Sequence, residues 1–389
     1  MKIAVDIRVL MDQQYSGISE YVYYLLRSWL DNHSEHEYIF YYNSWRPLPR
    51  ELFSWVKGRV TFKRTRWPNK IFNYFLQFLW RRPKLDQLVG PVDIFWSPHL
   101  NFSNFGQSAT LKVLTVHDLS FLRYPEFFTR RKNFWHRFLR LKKLVAQYDF
   151  IVAISENTKQ DLIELLGVTA EKIKVIYSGV NQDSATLTPE EIRDFRIKND
   201  LNSHFILYLG AIEPRKNVQG LIEAYERLRD KRLDLSNYNL VLAGAKGWKN
   251  RAIYRQASNS LYKDDIKFLG YVSREERNWL YNQATLFVYP SYYEGFGFPP
   301  LEAMNHGLPT ITSDASAIPE VVGDAALTVN PYSVIDVTHA LETLLEDESL
   351  RLYFSERGRL RAAWFSWPET AKNYFSLFQE LYARRHSSR

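Results

Sequence analysis

The chain has 389 residues, more than one hydrophobic core usually holds, so its length predicts two domains. Hydrophobic residues make up 46% and charged residues 24%, which is ordinary globular usage and argues against a disordered or membrane-spanning protein. Cysteine is absent, which excludes disulfides, thiol nucleophiles and cysteine-based metal sites, and the net charge of +8 favours an anionic partner. Without a signal-peptide core near its start, the sequence predicts a cytoplasmic protein.

The first half alternates short apolar runs with longer amphipathic ones, which predicts parallel strands connected by helices. The predicted strands are Ile3–Val9, Tyr38–Tyr42, Ile94–Ser97, Lys112–Val116, Phe150–Ile154 and Lys174–Tyr177. Helices are predicted near 18–30, 70–88, 127–147 and 156–166, the last with Ser155 as its N-cap.

A second alternating series follows a polar stretch near 183–202, which has a short charged helix of its own. Its predicted strands are Phe205–Leu209, Leu240–Ala243, Lys267–Leu269, Leu286–Tyr289, Thr310–Thr312 and Leu327–Val329. Helices are predicted near 217–230, 249–262, 273–283, 300–306, 334–346 and 349–363, with a final one over 367–385. Two such series predict an α/β protein with two Rossmann-like domains, in which ligands bind at the carboxyl ends of the strands.

Basic and aromatic residues are interleaved in two stretches of the first half, 57–84 and 127–143. The first has no acidic residue and includes Trp67, Tyr74 and Trp80 among its aromatics. Three interpretations remain open: a nucleic-acid surface, a face that rests on anionic lipid, or helices whose aromatic side chains pack in the core while the cations are solvated. No recognised nucleic-acid-binding module fits either stretch.

A glycine-rich segment at 291–304 contains the most specific pattern of the chain, with Glu294 before a tight turn and Glu302 about one turn into a predicted helix. Gly295 and Gly297 allow the backbone to approach a ligand, and the start of the helix can bind a diphosphate. One carboxylate can then face a sugar while the other accepts hydrogen bonds from ribose hydroxyls. The alternative is that Glu294 is a surface loop residue and Glu302 only interacts with the helix dipole.

Arg215 and Lys216 follow a predicted strand directly and precede a helix, where a basic pair can hold a pyrophosphate. The chain has no Asp-x-Asp motif, so this pair is expected to replace a bridging metal ion. The alternative is a solvated basic pair. His117 ends another strand and can bond a sugar hydroxyl, although a lone histidine is also compatible with a purely structural role. Gly17 lies in the first strand–helix loop, where a phosphate or sugar can approach closely.

Together these segments resemble the retaining GT-B glycosyltransferases of family 4, the glycosyl transferases group 1. The resemblance extends almost from end to end and depends on the order and spacing of its motifs. They are Ile3–Arg8, Ser16–Ile18, Val116–Asp118, Ala153–Glu156, Val175–Asn181, Glu213–Asn217, the pair Glu294 and Glu302, Ser313–Val322 and Phe365–Trp367.

The resemblance implies two Rossmann-like domains that face each other across a cleft, with the final helix crossing back. The N-terminal acceptor domain would span 1–182 together with helix 367–385, and the donor domain 200–365. Arg215 and Lys216 would bind the diphosphate of a nucleotide sugar and Glu302 its ribose. Glu294 and the backbone of 295–298, which includes Gly295, Phe296, Gly297 and Phe298, would contact the donor sugar.

From the other domain, the resemblance implies that Gly17 approaches the diphosphate and that His117 contacts the donor sugar. Neither a metal ion nor another cofactor is expected, and no protein nucleophile is implied. One departure is that Glu20 stands where related sequences often have arginine, so no role is assigned to position 20.

The motifs look most like those of bacterial mannosyltransferases of O-antigen and exopolysaccharide assembly. We therefore expect hexosyl transfer, most simply of mannose from GDP-mannose, to a lipid-linked oligosaccharide during lipopolysaccharide or other surface polysaccharide biosynthesis. The alternatives are a UDP-sugar donor or a GT-B nucleotide-sugar epimerase or phosphorylase. The expected location is cytoplasmic, on the inner face of the membrane as a peripheral protein, without a nucleic-acid partner.

Overall fold

The computed structural model describes residues 1–11, 17–48, 53–78, 83–106, 108–181, 185 and 187–387. Ser16 of the first loop motif and Trp80 of the first basic stretch lie outside the described residues. The chain divides into two compact units. The N-terminal unit contains Met1–Leu119, Arg131–Gly179 and the chain from Phe365 onwards, and the C-terminal unit contains Ser120–Arg130 and Val180–Trp364.

Strands and helices alternate along both units. The strands are β1 (Lys2–Asp6), β2 (Glu37–Asn43), β3 (Val60–Thr65), β4 (Ile94–Ser97), β5 (Leu111–Val116), β6 (Phe150–Ala153), β7 (Ile173–Val175), β8 (His204–Leu209), β9 (Tyr238–Ala243), β10 (Ile266–Gly270), β11 (Leu286–Tyr289), β12 (Thr310–Ser313) and β13 (Leu327–Val329). The helices are α1 (Gly17–Asn32), α2 (Asn69–Phe78), α3 (Leu85–Val89), α4 (Ser120–Arg123), α5 (Arg130–Phe138), α6 (Leu141–Ala146), α7 (Glu156–Leu166), α8 (Pro189–Asn199), α9 (Val218–Lys231), α10 (Arg251–Asn259), α11 (Arg274–Gln283), α12 (Phe298–Asn305), α13 (Ile318–Val322), α14 (Val334–Glu346), α15 (Glu348–Ala362) and α16 (Trp367–Ser387).

The N-terminal unit is built on a seven-stranded sheet in the order β3-β2-β1-β4-β5-β6-β7. Every pairing in it is parallel, and the central strands are apolar on both faces because helices cover the sheet. The final helix, α16, belongs to this unit and packs against α1, as the family resemblance implies.

A buried set of hydroxyl groups connects α16 to the sheet of the N-terminal unit. The Tyr374 hydroxyl lies 2.7 Å from the Tyr21 hydroxyl of α1 and 2.6 Å from Thr115 Oγ1 of β5. Trp96 Nε1 of β4 donates to the same Thr115 oxygen at 2.9 Å. Since buried polar groups need partners, this network helps to determine how α16 sits on the sheet, in addition to the packing of its apolar side chains.

The C-terminal unit has a six-stranded parallel sheet in the order β10-β9-β8-β11-β12-β13. The order reverses between β8 and β11, so the loops that follow these two strands diverge at the carboxyl edge of the sheet. This switch point is where open α/β sheets bind their ligands. Arg215 follows β8 and Glu294 follows β11, so the fold brings the two predicted motifs to the same place.

The segment Ser120–Arg130, which we call the strap, comes from the N-terminal half of the chain but is part of the C-terminal unit. It consists of α4 and a 3-10 turn over Pro125–Phe127. Phe128 stacks on Trp248, with 5.4 Å between the ring centroids, and Trp248 Nε1 donates to the carbonyl of Phe127 at 2.8 Å. The chain therefore enters the C-terminal unit twice.

Several element boundaries differ from the prediction. The predicted strand Ile3–Val9 was too long: β1 ends at Asp6, and Arg8–Met11 forms a 3-10 turn because the Arg8 amide bonds Asp6 Oδ1 at 3.2 Å. The predicted helix 127–147 is broken, since Arg140 adopts a left-handed conformation between α5 and α6.

The edge strand β3 was not predicted, because its residues Val60–Thr65 are largely exposed and their charges match a surface stretch better than a buried strand. Ser155 does cap α7 as predicted, accepting a bond from the Thr158 amide at 3.0 Å. None of the described helices has the length and apolarity that crossing a bilayer requires.

Candidate active site

The loop after β8 presents Arg215 and Lys216 on a 3-10 turn, Pro214–Lys216, at the carboxyl edge of the sheet. Asn217 ends this turn in the left-handed conformation, with φ of 55°, which asparagine tolerates better than most residues. Its side chain then accepts a bond from the Gly220 amide and caps α9. The turn and the cap together hold the basic pair in front of the first turn of α9.

The loop after β11 reverses the chain at Gly297, whose φ of 113° is accessible mainly to glycine. Pro299 and Pro300 occupy the first turn of α12, as the sequence predicts. The backbone amide of Glu294 donates to Ser316 Oγ at 2.8 Å, so the loop is also anchored at the residue that precedes the turn.

Glu294 is buried and receives hydrogen bonds from four side chains. Lys216 Nζ approaches Glu294 Oε1 at 2.5 Å, and Arg215 Nη1 approaches Oε2 at 3.2 Å. The Tyr289 hydroxyl and Ser291 Oγ also donate to Oε1, at 3.0 and 2.8 Å. The predicted basic pair and the first predicted glutamate therefore form one charged cluster, and the surface-loop interpretation of Glu294 is wrong.

Electrostatics keep this carboxylate ionised. Burial raises the pKa of Glu294, but Lys216 and Arg215 outweigh it and lower the pKa to about 2. Burial and the neighbouring Arg215 lower the pKa of Lys216, against the attraction of Glu294. The cations and the carboxylate of the cluster therefore stay charged although they are desolvated, because their opposite charges compensate each other.

Glu213 is a further member of the cluster that sequence reasoning did not single out. Its Oε1 lies 3.0 Å from Arg215 Nη2 and 3.2 Å from Arg215 Nε, and Glu213 is only 1% exposed. Two carboxylates thus balance two cations, Arg215 and Lys216. The position two residues before Arg215 was a possible signal, because an acidic neighbour at that spacing can accept from the guanidinium.

Two tyrosines at the ends of the central strands complete the surroundings of Glu294. Tyr208 of β8 stacks on Tyr289 of β11, with 5.6 Å between centroids and 14° between ring planes. Lys216 Nζ lies 5.3 Å from the centre of the Tyr289 ring. Tyr208 is the second-last residue of β8 and Tyr289 the last of β11. A tyrosine there is apolar enough for the sheet and polar at its hydroxyl, so periodicity alone predicted a strand and gave no sign of this role.

Glu302 is also buried, but it belongs to a different set of contacts. The Tyr281 hydroxyl of α11 donates to Glu302 Oε2 at 3.0 Å, and Arg277 Nη1 lies 3.8 Å from Oε1. Glu302 is therefore more than a helix-dipole partner, and it is oriented by α11. The intervening Phe296 is buried and packs against Phe298, with 5.1 Å between centroids, while Gly295 and Gly297 shape the turn.

In the N-terminal unit, His117 lies at the end of β5, where the sequence predicts it. Its Nε2 is 2.7 Å from the carbonyl oxygen of Pro98, which only accepts, so this bond assigns the proton to Nε2. The edge of the His117 ring meets Tyr21 at 4.7 Å between centroids. Burial lowers the pKa of His117 to about 4, against the opposing effects of the Pro98 bond and Asp118, so the imidazole is neutral near pH 7.

Gly17 is the first residue of α1, and a Cβ added there would meet no other atom within 4 Å. Earlier in the chain, Asp6 and Arg8 form a buried ion pair in which Arg8 Nε donates to Asp6 Oδ1 at 2.8 Å and Nη2 donates to Oδ2 at 2.6 Å. The first motif of the sequence, Asp6-Ile7-Arg8, is thus an internal structural pair. Within the described part of the chain, no group of three or more His, Cys, Asp or Glu side chains is arranged to hold a metal ion.

Two family models match the chain, one for each half. Residues 15–184 match the model described as Glycosyltransferase Family 4, and residues 190–361 match the model described as Glycosyl transferases group 1. O-antigen chain mannosyltransferase B of Escherichia coli is 34% identical over 272 residues, which covers 69% of this chain and 70% of that protein. The serotype-specific mannosyltransferase WbdA of the same species is 34% identical over 263 residues, but the match covers only 32% of its longer chain.

Solved structures share the fold at low sequence identity. A sucrose-phosphate synthase from Thermosynechococcus elongatus aligns with a TM-score of 0.74 at 18% identity, over 99% of this chain and 100% of that one. WaaG, a glycosyltransferase involved in lipopolysaccharide biosynthesis, aligns with a TM-score of 0.66 at 18% identity, over 95% and 98% of the two chains.

Two parallel α/β units, together with these family matches, identify the chain as a glycosyltransferase with the GT-B fold. More specifically, the chain belongs to glycosyltransferase family 4, the glycosyl transferases group 1.

Proposed function

We propose that this protein is a retaining glycosyltransferase that moves mannose from GDP-mannose onto a lipid-linked oligosaccharide during surface polysaccharide biosynthesis. The observation that carries the proposal is the compensated cluster of Arg215, Lys216 and Glu294 at the switch point of the C-terminal unit. Its relatives are named as an O-antigen chain mannosyltransferase and a serotype-specific mannosyltransferase, and these names support mannose as the transferred sugar.

In this proposal Arg215 and Lys216 bind the diphosphate of the donor. The bond between the anomeric carbon and the phosphate oxygen breaks, and negative charge develops on the leaving nucleotide. Two fixed cations next to that charge stabilise the transition state more than the ground state. Because these cations supply positive charge at the diphosphate, we propose that transfer does not depend on a metal ion, and full turnover in excess chelator is the expected result.

Glu294 orients the donor sugar and does not attack it. Its Oε1 already accepts from Lys216, Tyr289 and Ser291, and a carboxylate with a pKa of about 2 is a weak base. In this proposal the acceptor hydroxyl attacks the anomeric carbon from the face that the diphosphate leaves, as the resemblance to retaining glycosyltransferases implies, and its proton passes to the departing phosphate oxygen. Attack on that face retains the anomeric configuration.

Further donor contacts follow from the same arrangement. Glu302, held by Tyr281 and Arg277, accepts hydrogen bonds from the ribose hydroxyls. The backbone of 295–298 contacts the sugar. His117 is neutral near pH 7 and its Nε2 proton is engaged by the Pro98 carbonyl, so its Nδ1 accepts a hydrogen bond from a sugar hydroxyl and the ring adds no positive charge. A role for Gly17 at the diphosphate stays a prediction.

A panel of nucleotide sugars tests the donor directly, with released nucleotide and the product anomer as readouts. We expect GDP release from GDP-mannose in the presence of a glycan acceptor, and an α-linked product by NMR. Turnover with UDP-sugars alone would contradict the mannose assignment, and a β-linked product would contradict retention. Formation of an epimerised nucleotide sugar in the absence of an acceptor would contradict the transferase proposal and indicate an epimerase.

We also propose that α5 brings the protein to an anionic membrane, where a lipid-linked acceptor is found. Phe134 is 69% and Trp135 44% exposed, and no residue of α5 is buried. Its cations, Arg130, Arg131, Lys132 and Arg137, complement an acidic surface. Phe72 of the first basic stretch is by contrast buried, so core packing explains part of that stretch.

Co-sedimentation with vesicles tests the membrane proposal. Binding is expected to rise with the fraction of anionic lipid and to fall in a Phe134→Ser, Trp135→Ser variant, with Trp364→Ser as the matched exposed control. Binding that does not depend on anionic lipid, or that follows added nucleic acid instead, contradicts it.

A further inference from the structure

The strap makes contact with the glycine-rich loop of the candidate site through two aromatic pairs. Phe127 stacks on Tyr292, with 5.4 Å between centroids and 10° between ring planes. Tyr124 packs against Tyr293 with 5.6 Å between centroids. These pairs are specific contacts with the two residues that immediately precede Glu294, and all four residues belong to the C-terminal unit.

On its other side the strap is fastened to the loop that follows β9. Besides the Phe128–Trp248 stack, Lys249 Nζ donates to the carbonyl of Glu126 at 2.6 Å. Lys249 itself has a positive φ of 51°, an uncommon conformation for lysine. The strap is thus attached to the loops after β9 and after β11, the two neighbours of β8 in the sheet, and the loop after β8 carries Arg215.

Tyr292 and Tyr293 transmit this contact to the charged cluster. Arg215 Nη1 donates to the carbonyl of Tyr293 at 2.6 Å, and the amide of Tyr292 donates to the carbonyl of Arg215 at 2.9 Å. Ser291 Oγ, which donates to Glu294, also lies 3.2 Å from the Tyr293 carbonyl. The same short loop therefore contacts the strap with its rings, holds Arg215 with its backbone and bonds Glu294 through the Ser291 hydroxyl.

We propose that Phe127 and Tyr124 are positioning residues of the transfer reaction. They hold the Tyr292–Glu294 loop in the position in which Glu294 contacts the donor sugar. The proposal depends on the proposed function for the identity of the ligand. It gives the strap a role that its place in the sequence does not suggest: a segment of the N-terminal half supports the sugar contact of the donor unit. Because reacting groups tolerate displacements of only a fraction of an ångström, loss of the stacked ring is expected to reduce turnover.

The test compares Phe127→Ala, Phe127→Leu and Phe127→Tyr with the wild type. We expect Phe127→Ala to lower kcat roughly ten- to a hundredfold. Phe127→Leu, which keeps apolar volume but loses the flat ring, should lie in between, and Phe127→Tyr should restore turnover. Affinity for free GDP, which lacks the sugar, should change less than about threefold, since Glu213 still holds Arg215 and Lys216 is untouched.

The matched control is Phe354→Ala, a buried phenylalanine on α15 of the same unit. It should lower stability without lowering the kcat of the folded protein. If Phe127→Ala behaves like this control, with kcat within about twofold of the wild type, the positioning role is contradicted. The Leu variant decides the question in the same way if the Ala variant does not fold.

A second readout is independent of catalysis and separates failure of the inference from failure of the proposed function. Hydrogen exchange of the Glu294 amide, which is bonded to Ser316 Oγ, should be at least about tenfold faster in Phe127→Ala than in the wild type. Unchanged exchange overturns the positioning role. A wild type that releases nucleotide from no donor contradicts the proposed function instead, and the exchange result then still decides whether the strap holds the loop.

Discussion

Glu294 can remain charged in a buried position because two cations and two hydroxyl groups surround it. The sequence predicted the placement of Glu294, Arg215 and Lys216 at the carboxyl edge of the sheet, since each of their motifs comes directly after a strand. Tyr289 was not predicted, because nothing in its local pattern separates a buried hydrogen-bond donor from an ordinary strand residue, and Glu213 was missed although it stands two residues before Arg215. At the residue scale, the sequence therefore singled out the three charged residues that the fold brings together, Arg215, Lys216 and Glu294, and missed side chains that hold them.

The lowered pKa of Glu294 predicts a pH dependence of stability. A carboxyl group whose pKa falls from 4.5 to about 2 on folding stabilises the protein above pH 4.5. This contribution, roughly 3 kcal/mol for a shift of that size, is lost as the pH falls from about 4.5 to about 2. We expect the difference in unfolding free energy between the wild type and Glu294→Gln, measured by denaturant unfolding, to become smaller as the pH is lowered through that interval. A difference that does not vary with pH contradicts the lowered pKa of Glu294.

The buried pair of Asp6 and Arg8 predicts a large effect of a small substitution. Their side chains are only 2% and 8% exposed, so Asp6→Asn leaves a desolvated guanidinium without a counter-charge. We expect the free energy of unfolding to fall by about 3–5 kcal/mol. Asp200→Asn is the control, because Asp200 is 88% exposed in its pair with Lys267 and should change stability by under about 1 kcal/mol. Equal losses of unfolding free energy in the two variants would contradict a large contribution of the Asp6–Arg8 pair to stability.

At the scale of elements, buried strands were predicted and the exposed one was not. β11 is a continuous apolar run, Leu-Phe-Val-Tyr, between helices, which is the signature of a parallel strand covered on both faces. β3 lies at the edge of its sheet and carries Lys63 and Arg64, so its pattern is that of a surface. Similarly, Arg140 breaks a predicted helix through its backbone conformation, a feature that periodicity does not encode.

The hydroxyl network under α16 predicts coupling between distant parts of the sequence. Tyr374→Phe removes the hydroxyl that Tyr21 and Thr115 share, and we expect it to lower the free energy of unfolding by about 1–3 kcal/mol. The double variant with Tyr21→Phe should lose less than the sum of the two single losses. Tyr382→Phe, on the same helix but outside this network, is the control. Additive losses would mean that the two tyrosines act independently.

At the scale of the whole molecule, the alternation of strands and helices was enough to predict two parallel α/β units, whereas the return of the last helix was implied by the family resemblance. The strap could not be predicted in this way. Its aromatic residues continue a basic-aromatic stretch of the first half, and only the folded chain shows that they pack on Trp248, Tyr292 and Tyr293 of the C-terminal unit. The order of segments along the chain therefore predicts the strands more reliably than it predicts which segments belong to which unit.

The most direct test of the account measures GDP release from GDP-mannose, with a glycan acceptor, by the wild type and by Lys216→Met. Methionine keeps the length of the side chain and removes its charge, while Arg215 still balances Glu294, so the variant is expected to fold. We predict a loss of turnover on the order of a hundredfold or more, because one of the two cations next to the leaving diphosphate is gone. Lys263→Met, at an exposed lysine of the same unit, should keep full turnover. Turnover by Lys216→Met close to that of the wild type would contradict the assignment of this cluster as the donor site.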